Sequence, residues 1–195
     1  TPAADAFFVA YRIPNLLREL FAEGSMSAAF IPVFTEYHTL KTKRDAWELA
    51  SATFTTLLTI VTAVTLLGIL AAPGIVWLLA PGFRGSPDKL ALTTLLTQMM
   101  FPYLIFISLA ALAMGILNSL RAFAAPAFSP VFFNIFTIAC MMFLSPWLPE
   151  PILGVAVGIV VGGVAQFAMQ LPGLKGRGML FGLRFQPGHP GVKRI

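Results

Sequence analysis

The 195-residue chain is 57% hydrophobic and only 11% charged, with a mean hydropathy of +0.83. Soluble domains carry roughly 25% charged residues, so there is too little charge here to cover a water-facing surface. Disorder, nucleic-acid binding as the main role and a cytosolic globular enzyme are excluded on that ground. The single cysteine, Cys140, allows no internal disulfide. The chain opens on Thr1 and closes on a basic, Gly/Pro-rich stretch, and is expected to be a piece of a longer membrane protein.

A membrane-spanning helix needs about 20 mostly apolar residues. No charge occurs within 49–83, 90–120, 122–149 or 151–174. A fifth segment, 7–37, is apolar in bulk but carries Arg12, Arg18, Glu19 and Glu23. The predicted architecture is an all-α, polytopic membrane helix bundle with spans near 7–37, 50–72, 92–119, 129–147 and 152–171. Pro73-Gly74, Pro81-Gly82, the Pro-rich stretch 145–151 and Pro172-Gly173 punctuate these spans. Pro102 lies inside the third span and predicts a kink. Residues 172–195 read as a basic cytoplasmic tail or inter-helix loop.

The net charge of +5 follows topology. Cytoplasmic loops collect Lys and Arg. Lys41, Lys43, Arg44, Arg121, Lys175, Arg177, Arg184, Lys193 and Arg194 fall in one set of alternate connections. The other set holds Arg84 and Lys89, offset by Asp88 and Glu150. This alternation places residue 1 outside and the tail inside, and a helix preceding Thr1 would bring the true N-terminus inside.

The first span is the chemically informative one. A charge at the bilayer centre costs about 2.5–3.5 kcal/mol on insertion scales. At about 100° per residue, Asp5, Arg12, Asn15, Glu19 and Glu23 fall within a stripe about 80° wide, with Arg18 on a neighbouring flank. Such a stripe faces a watery cavity, or its charges pair with one another and hold the bundle together. Pro14 and Gly24 are candidate hinges in this span, as Pro102 is in the third. Ser51, Thr55, Thr59 and Thr62 share a face of the second span, where back-bonding to the helix is the favoured role. Gly154, Gly158 and Gly162 form a small-residue surface for close helix packing, within the bundle in preference to a homodimer. His38, His189 and Cys140 lack the neighbours that metal or nucleophile chemistry needs, so no catalytic residue, metal or cofactor is expected.

The run from Asp5 through Ser25 (DAFFVAYRIPNLLRELFAEGS), continued by Ala29–Phe34 and Glu36-Tyr37, closely resembles the MurJ (MviN) family of lipid II flippases. Ala80–Phe83, Phe101–Tyr103, Ile116–Asn118 and Gln170–Pro172 resemble further family landmarks in the same order. The resemblance implies a two-lobed transporter of the multidrug/oligosaccharidyl-lipid/polysaccharide exporter superfamily, with this chain as helices two to six. It implies translocation of undecaprenyl-pyrophosphate-linked peptidoglycan precursor across the bacterial inner membrane by alternating access, without catalysis. Asp5, Arg18 and Glu23 match family positions regarded as functionally important, and Arg12 one that is usually basic. Glu19 departs from a site often basic in relatives. Arg18, Arg12 and Asn15 are therefore expected to line a substrate cavity, and Asp5, Glu19 and Glu23 to act in charge pairing or gating, Asp5 and Glu23 with arginines as partners. The alternatives are a flippase for another polyprenyl-linked glycan, a drug exporter, a truncated remnant, or a membrane enzyme acting on polyprenyl pyrophosphate. The last would need a carboxylate or histidine cluster at one membrane face.

Overall fold

The computed structural model describes residues 2–20, 25–179, 181–182, 186 and 188–195. Among these the regular structure is helical, with no strand. The helices are α1 (Pro2–Arg18), α2 (Ser25–Leu40), α3 (Lys43–Leu79), α4 (Pro87–Met100), α5 (Tyr103–Ser119), α6 (Ala124–Leu144), α7 (Ile152–Ala168) and the short α8 (Leu171–Lys175). Four helical stretches, Lys43–Leu79, Pro87–Ser119, Ala124–Trp147 and Ile152–Lys175, are long and apolar enough to cross a membrane. The chain is a multi-pass membrane helix bundle.

The first expected span is described on either side of residues 21–24. α1 runs unbroken through Pro14 to Arg18, then opens into a wider π-type turn at Glu19-Leu20. α2 begins at Ser25. Glu23 and Gly24 lie in the interval outside the described residues. The third expected span is two helices, interrupted at Phe101-Pro102. Pro102 has no N–H to give the Gln98 carbonyl. The Gln98 side chain donates to the Ile69 carbonyl at 3.1 Å, tying α4 to α3 beside the break.

α3 is the longest element. At 1.5 Å per residue its 37 residues extend about 55 Å, well beyond a hydrocarbon core of about 30 Å. Its start is fixed by a capping box. The Thr42 hydroxyl accepts from the Asp45 N–H at 3.2 Å, and Asp45 accepts from the Thr42 N–H at 3.1 Å. The Thr55 and Thr59 hydroxyls donate to carbonyls four residues back, at 2.9 and 2.8 Å. These two hydroxyls of the face are thus satisfied by their own helix.

Three buried clusters organise the bundle. Phe30, Phe34, Leu49, Leu112 and Ile116 join α2, α3 and α5. Ala6, Ala10, Leu96, Met100, Tyr103 and Ile159 join α1, α4, α5 and α7. Ile13, Val76 and Phe101 join α1 and α3 to the α4–α5 break. α6 touches these clusters only through partly buried Ala125 and Phe133 and exposes Phe128, Ile135, Met142 and Phe143, as a lipid-facing helix does.

α6 packs chiefly against α7, where three glycines allow close approach. A Cβ on Gly158 would lie 2.8 Å from the Thr137 carbonyl oxygen. One on Gly162 would lie 2.8 Å from the Phe133 carbonyl oxygen, and one on Gly154 would collide with the Ser145 hydroxyl. The Thr137 hydroxyl donates to the Gly158 carbonyl at 3.1 Å across the same seam. Backbone meets backbone here because no side chain intervenes.

Two helix ends on one side of the bundle share a Schellman cap. After α5, the Ala122 N–H donates to the Leu117 carbonyl at 2.8 Å and the Arg121 N–H to the Asn118 carbonyl at 3.0 Å. After α8, Met179 and Gly178 do the same with Leu174 and Lys175, at 3.0 and 2.9 Å. The left-handed position is Gly178 in one and Arg121, at φ 56°, in the other.

Replacing Gly158 with Val should destabilise the protein by about 1–3 kcal/mol through forced separation of α6 and α7. Gly74→Ala, where nothing lies within 4 Å of the added atom, should leave stability unchanged or slightly raised. Thermal unfolding in detergent distinguishes the two. The same assay should find Arg121→Gly neutral to stabilising, by up to about 1 kcal/mol, as left-handed strain is relieved.

Candidate functional site: a polar cavity on the first helix

α1 divides its surface three ways. Tyr11, Asn15 and Arg18 face a cavity of about 380 Å³. Tyr103, Ile107 and Met114 of α5, Pro130 and Phe133 of α6, and Gln166 and Gln170 close its other walls. About half a turn away, Ile13, Leu16 and Leu17 face a wholly apolar groove of about 420 Å³ against Val64, Gly68 and Ile75 of α3. Between these two faces, Asp5, Arg12 and Glu19 are exposed.

Asn15 organises the polar cavity. Its Oδ1 accepts from Arg18 Nε at 3.0 Å, and its Nδ2 donates to Glu19 Oε1 at 3.3 Å. The side chains of Arg18, Asn15 and Glu19 therefore form one hydrogen-bonded row along the helix. The amide fixes the guanidinium at Nε and passes its remaining polarity to the carboxylate. Across the cavity, Gln170 is 1% exposed, and its Nε2 donates to the Ala110 carbonyl at 3.1 Å. This bond fastens the end of α7 to α5.

The sequence-predicted residues separate into three groups. Arg18 and Asn15 meet in the cavity. Arg12 does not line it and stands on the exposed face. Asp5 pairs with a lysine, not an arginine: Lys89 Nζ on α4 reaches its Oδ2 at 2.8 Å. Lys89 also sits 4.1 Å from the centre of the Phe83 ring. The hydrogen bond and charge of Lys89 hold the Asp5 carboxyl below the usual aspartate range. Gln166 and Gln170 went unrecognised as cavity residues. Their signal was available, as two amides one turn apart at the end of an otherwise apolar span.

The two ends of the bundle differ in charge. One end brings Ser86, Asp88, Lys89 and Glu150 around an open cavity of about 790 Å³ with Pro2. The opposite end gathers His38, Lys43 and Arg177 with Trp47 and Leu120 around a pocket of about 330 Å³. The connections sorted by the count of basic residues thus lie at two separate ends of the fold.

These features define a multi-pass helical membrane protein with a polar chamber walled by its own helices, the kind of site that membrane transport proteins carry. The family model described as lipid II flippase MurJ matches residues 1–195. The lipid II flippase MurJ of Burkholderia cenocepacia is 41% identical over 195 residues, covering 98% of this chain and 38% of the relative. A probable lipid II flippase MurJ of Vibrio cholerae is 43% identical over 200 residues, covering 99% of this chain and 38% of the relative. A solved structure titled "Lipid II flippase MurJ, inward closed conformation" shares the fold, with a TM-score of 0.74 at 24% identity over 100% of this chain and 40% of that one. The chain belongs to the lipid II flippase MurJ family. It spans 38% of the length of the two curated relatives, which are named as flippases and therefore as transporters.

The Asp5–Lys89 contact should be present at neutral pH and above, because a depressed carboxyl pKa favours the paired state there. It should be lost as pH falls through that lowered value. A carboxyl-resolved NMR titration should find Asp5 ionising below the ordinary aspartate range, and Lys89→Met should return it to that range.

Proposed function

We propose that this chain forms most of one lobe of a flippase. The flippase moves lipid II, the undecaprenyl-pyrophosphate-linked peptidoglycan precursor, across the bacterial inner membrane by alternating access. The single observation that carries the reading is the division of α1 into a polar cavity face, an exposed polar stripe and an apolar groove. A lipid-linked head group needs a wet path while its tail stays in an apolar one.

Arg18 is the proposed anion contact, since its planar fork matches pyrophosphate or carboxylate oxygens. Asn15 is a positioning residue that sets the Arg18 guanidinium through Nε. The exposed stripe of Asp5, Arg12 and Glu19 is read as facing the transport path that the other lobe completes. Asp5, Glu19 and Glu23 would repel an anionic ligand directly, so their proposed part is in pairing and gating. Pro14, Gly24 and Pro102 are the proposed points of flexure. The partners of the activity are the lipid-linked substrate, the surrounding lipids and the rest of the transporter.

In the full-length protein, Arg18→Ala should abolish lipid II translocation while membrane insertion and abundance stay normal. Cells depending on that variant alone should fail to grow. Normal growth with normal cell-wall synthesis would show that Arg18 is not the anion contact.

A further inference from the structure

The pocket at the basic end of the bundle is separate from the Arg18 cavity, and its composition is specific. His38 ends α2, Lys43 and Trp47 lie one turn apart at the start of α3, Leu120 closes α5, and Arg177 follows α8. Three separate connections thus converge on a volume of about 330 Å³. Its floor is apolar, from Trp47 and Leu120, and its rim is basic.

The basic charge at that rim is not neutralised by carboxylates. Among the described residues no Asp or Glu lines the pocket. The acids nearest in sequence are engaged elsewhere: Asp45 in the Thr42 cap, Glu48 with Arg44 at 3.3 Å, and Glu36 with Arg194 at 2.8 Å. Lys43 Nζ lies 5.3 Å from the Trp47 ring centre, and Arg177 Nη1 donates to the Gly173 carbonyl at 3.0 Å. Those contacts orient the two cations without cancelling their charge. The first turn of α3 adds its partial positive charge at the same place.

The geometry points to a binding site for the phosphate of an anionic phospholipid at the cytoplasmic rim of the membrane. The phosphodiester takes Lys43 and Arg177, and Trp47 and Leu120 cover the glycerol and upper chain. Basic pockets between helices on the cytoplasmic side suit such head groups, and tryptophan favours that depth. A soluble anion would use the cations but leave the apolar floor bare. A zwitterionic lipid would bring its own cation against Lys43 and Arg177. The inference uses the charge-derived orientation but not the identity of the transported substrate.

Trp47 supplies the readout. In a Trp77→Phe/Trp147→Phe background it is the remaining tryptophan. The full-length protein, with any further tryptophans likewise replaced, is placed in nanodiscs of phosphatidylcholine containing either brominated phosphatidylglycerol or brominated phosphatidylcholine. Quenching should favour phosphatidylglycerol. At about 1 kcal/mol for each basic residue near the surface, Lys43→Gln/Arg177→Gln should weaken that preference about 30-fold. The charge-retaining Lys43→Arg/Arg177→Lys pair should keep it, which separates loss of charge from misfolding. Equal quenching by the two lipids overturns the site. So does an equal loss in Arg44→Gln/Lys193→Gln, which removes as much charge outside the pocket. Competition by inorganic phosphate transfers the residues to a soluble anion and overturns the lipid assignment. None of these failures touches the flippase reading, which rests on Arg18 and its growth test.

Discussion

A charge carried on a helix in an apolar medium must be given water, a partner or both. Most of this structure can be understood as the way that constraint is met on one helix. α1 carries Asp5, Arg12, Arg18 and Glu19 in a chain that is otherwise 57% hydrophobic. The four charges are accommodated in three ways. Asp5 takes a partner from α4, Arg18 takes an amide one turn back beside a cavity, and Arg12 and Glu19 stay exposed. The helix can accept all four because its remaining face is buried through small residues. Ala6 and Ala10 are wholly buried and let α4, α5 and α7 approach. Arg18 therefore sits in the bundle wall, not loose on its surface.

The surrounding helices are held by contacts that need no polar side chains. Glycines of α7 let α6 lie against its backbone, and the Phe101 ring lies on Gly68 of α3. These seams exploit the absence of a side chain because burying apolar area gives no drive between helices in lipid. The polar side chains that do cross between helices are few. Gln98 reaches Ile69, Gln170 reaches Ala110 and Thr137 reaches Gly158. Each donates to a backbone carbonyl and thereby avoids leaving an amide or hydroxyl proton unpaired.

Helicity and the membrane-spanning regions were legible because they follow from composition over long windows. The distribution of basic residues was legible for the same reason, and the fold does bring those connections to opposite ends. The details that escaped depend on single contacts across the chain. A wheel drawn for α1 finds the stripe of Asp5, Arg12 and Glu19, but not which flank a neighbour will cover. That neighbour proved to be α5, and it enclosed the flank of Arg18 and not the centre of the stripe. The lysine partner of Asp5 lies 84 residues away and leaves no local trace. Nothing local to Gln166 and Gln170 shows which cavity wall they will join.

The tail shows how a composition-based reading understates structure. Residues 172–195 read as a basic tail or loop, yet much of their described part packs onto the start of α3 and the end of α2. The Phe181 ring stacks on Phe54 at 4.3 Å, and the Gly182 N–H donates to the Ser51 hydroxyl at 3.2 Å. Gly191 lies against Leu49 and Tyr37, and Arg194 grips both oxygens of Glu36 at 3.0 and 2.8 Å. α3 is longer than a bilayer is thick, and behind its charged first turn it carries apolar side chains, Leu49 and Phe54 among them, that need cover. The tail supplies that cover, and its basic residues are placed by this packing as well as by the rule that sorts them to one side. Glycine at 191 allows this close approach, since an added Cβ would lie 2.6 Å from Leu49 Cδ1. A tail composed only for charge would have had no reason to keep Phe181 and Val192 on the apolar side of the same segment.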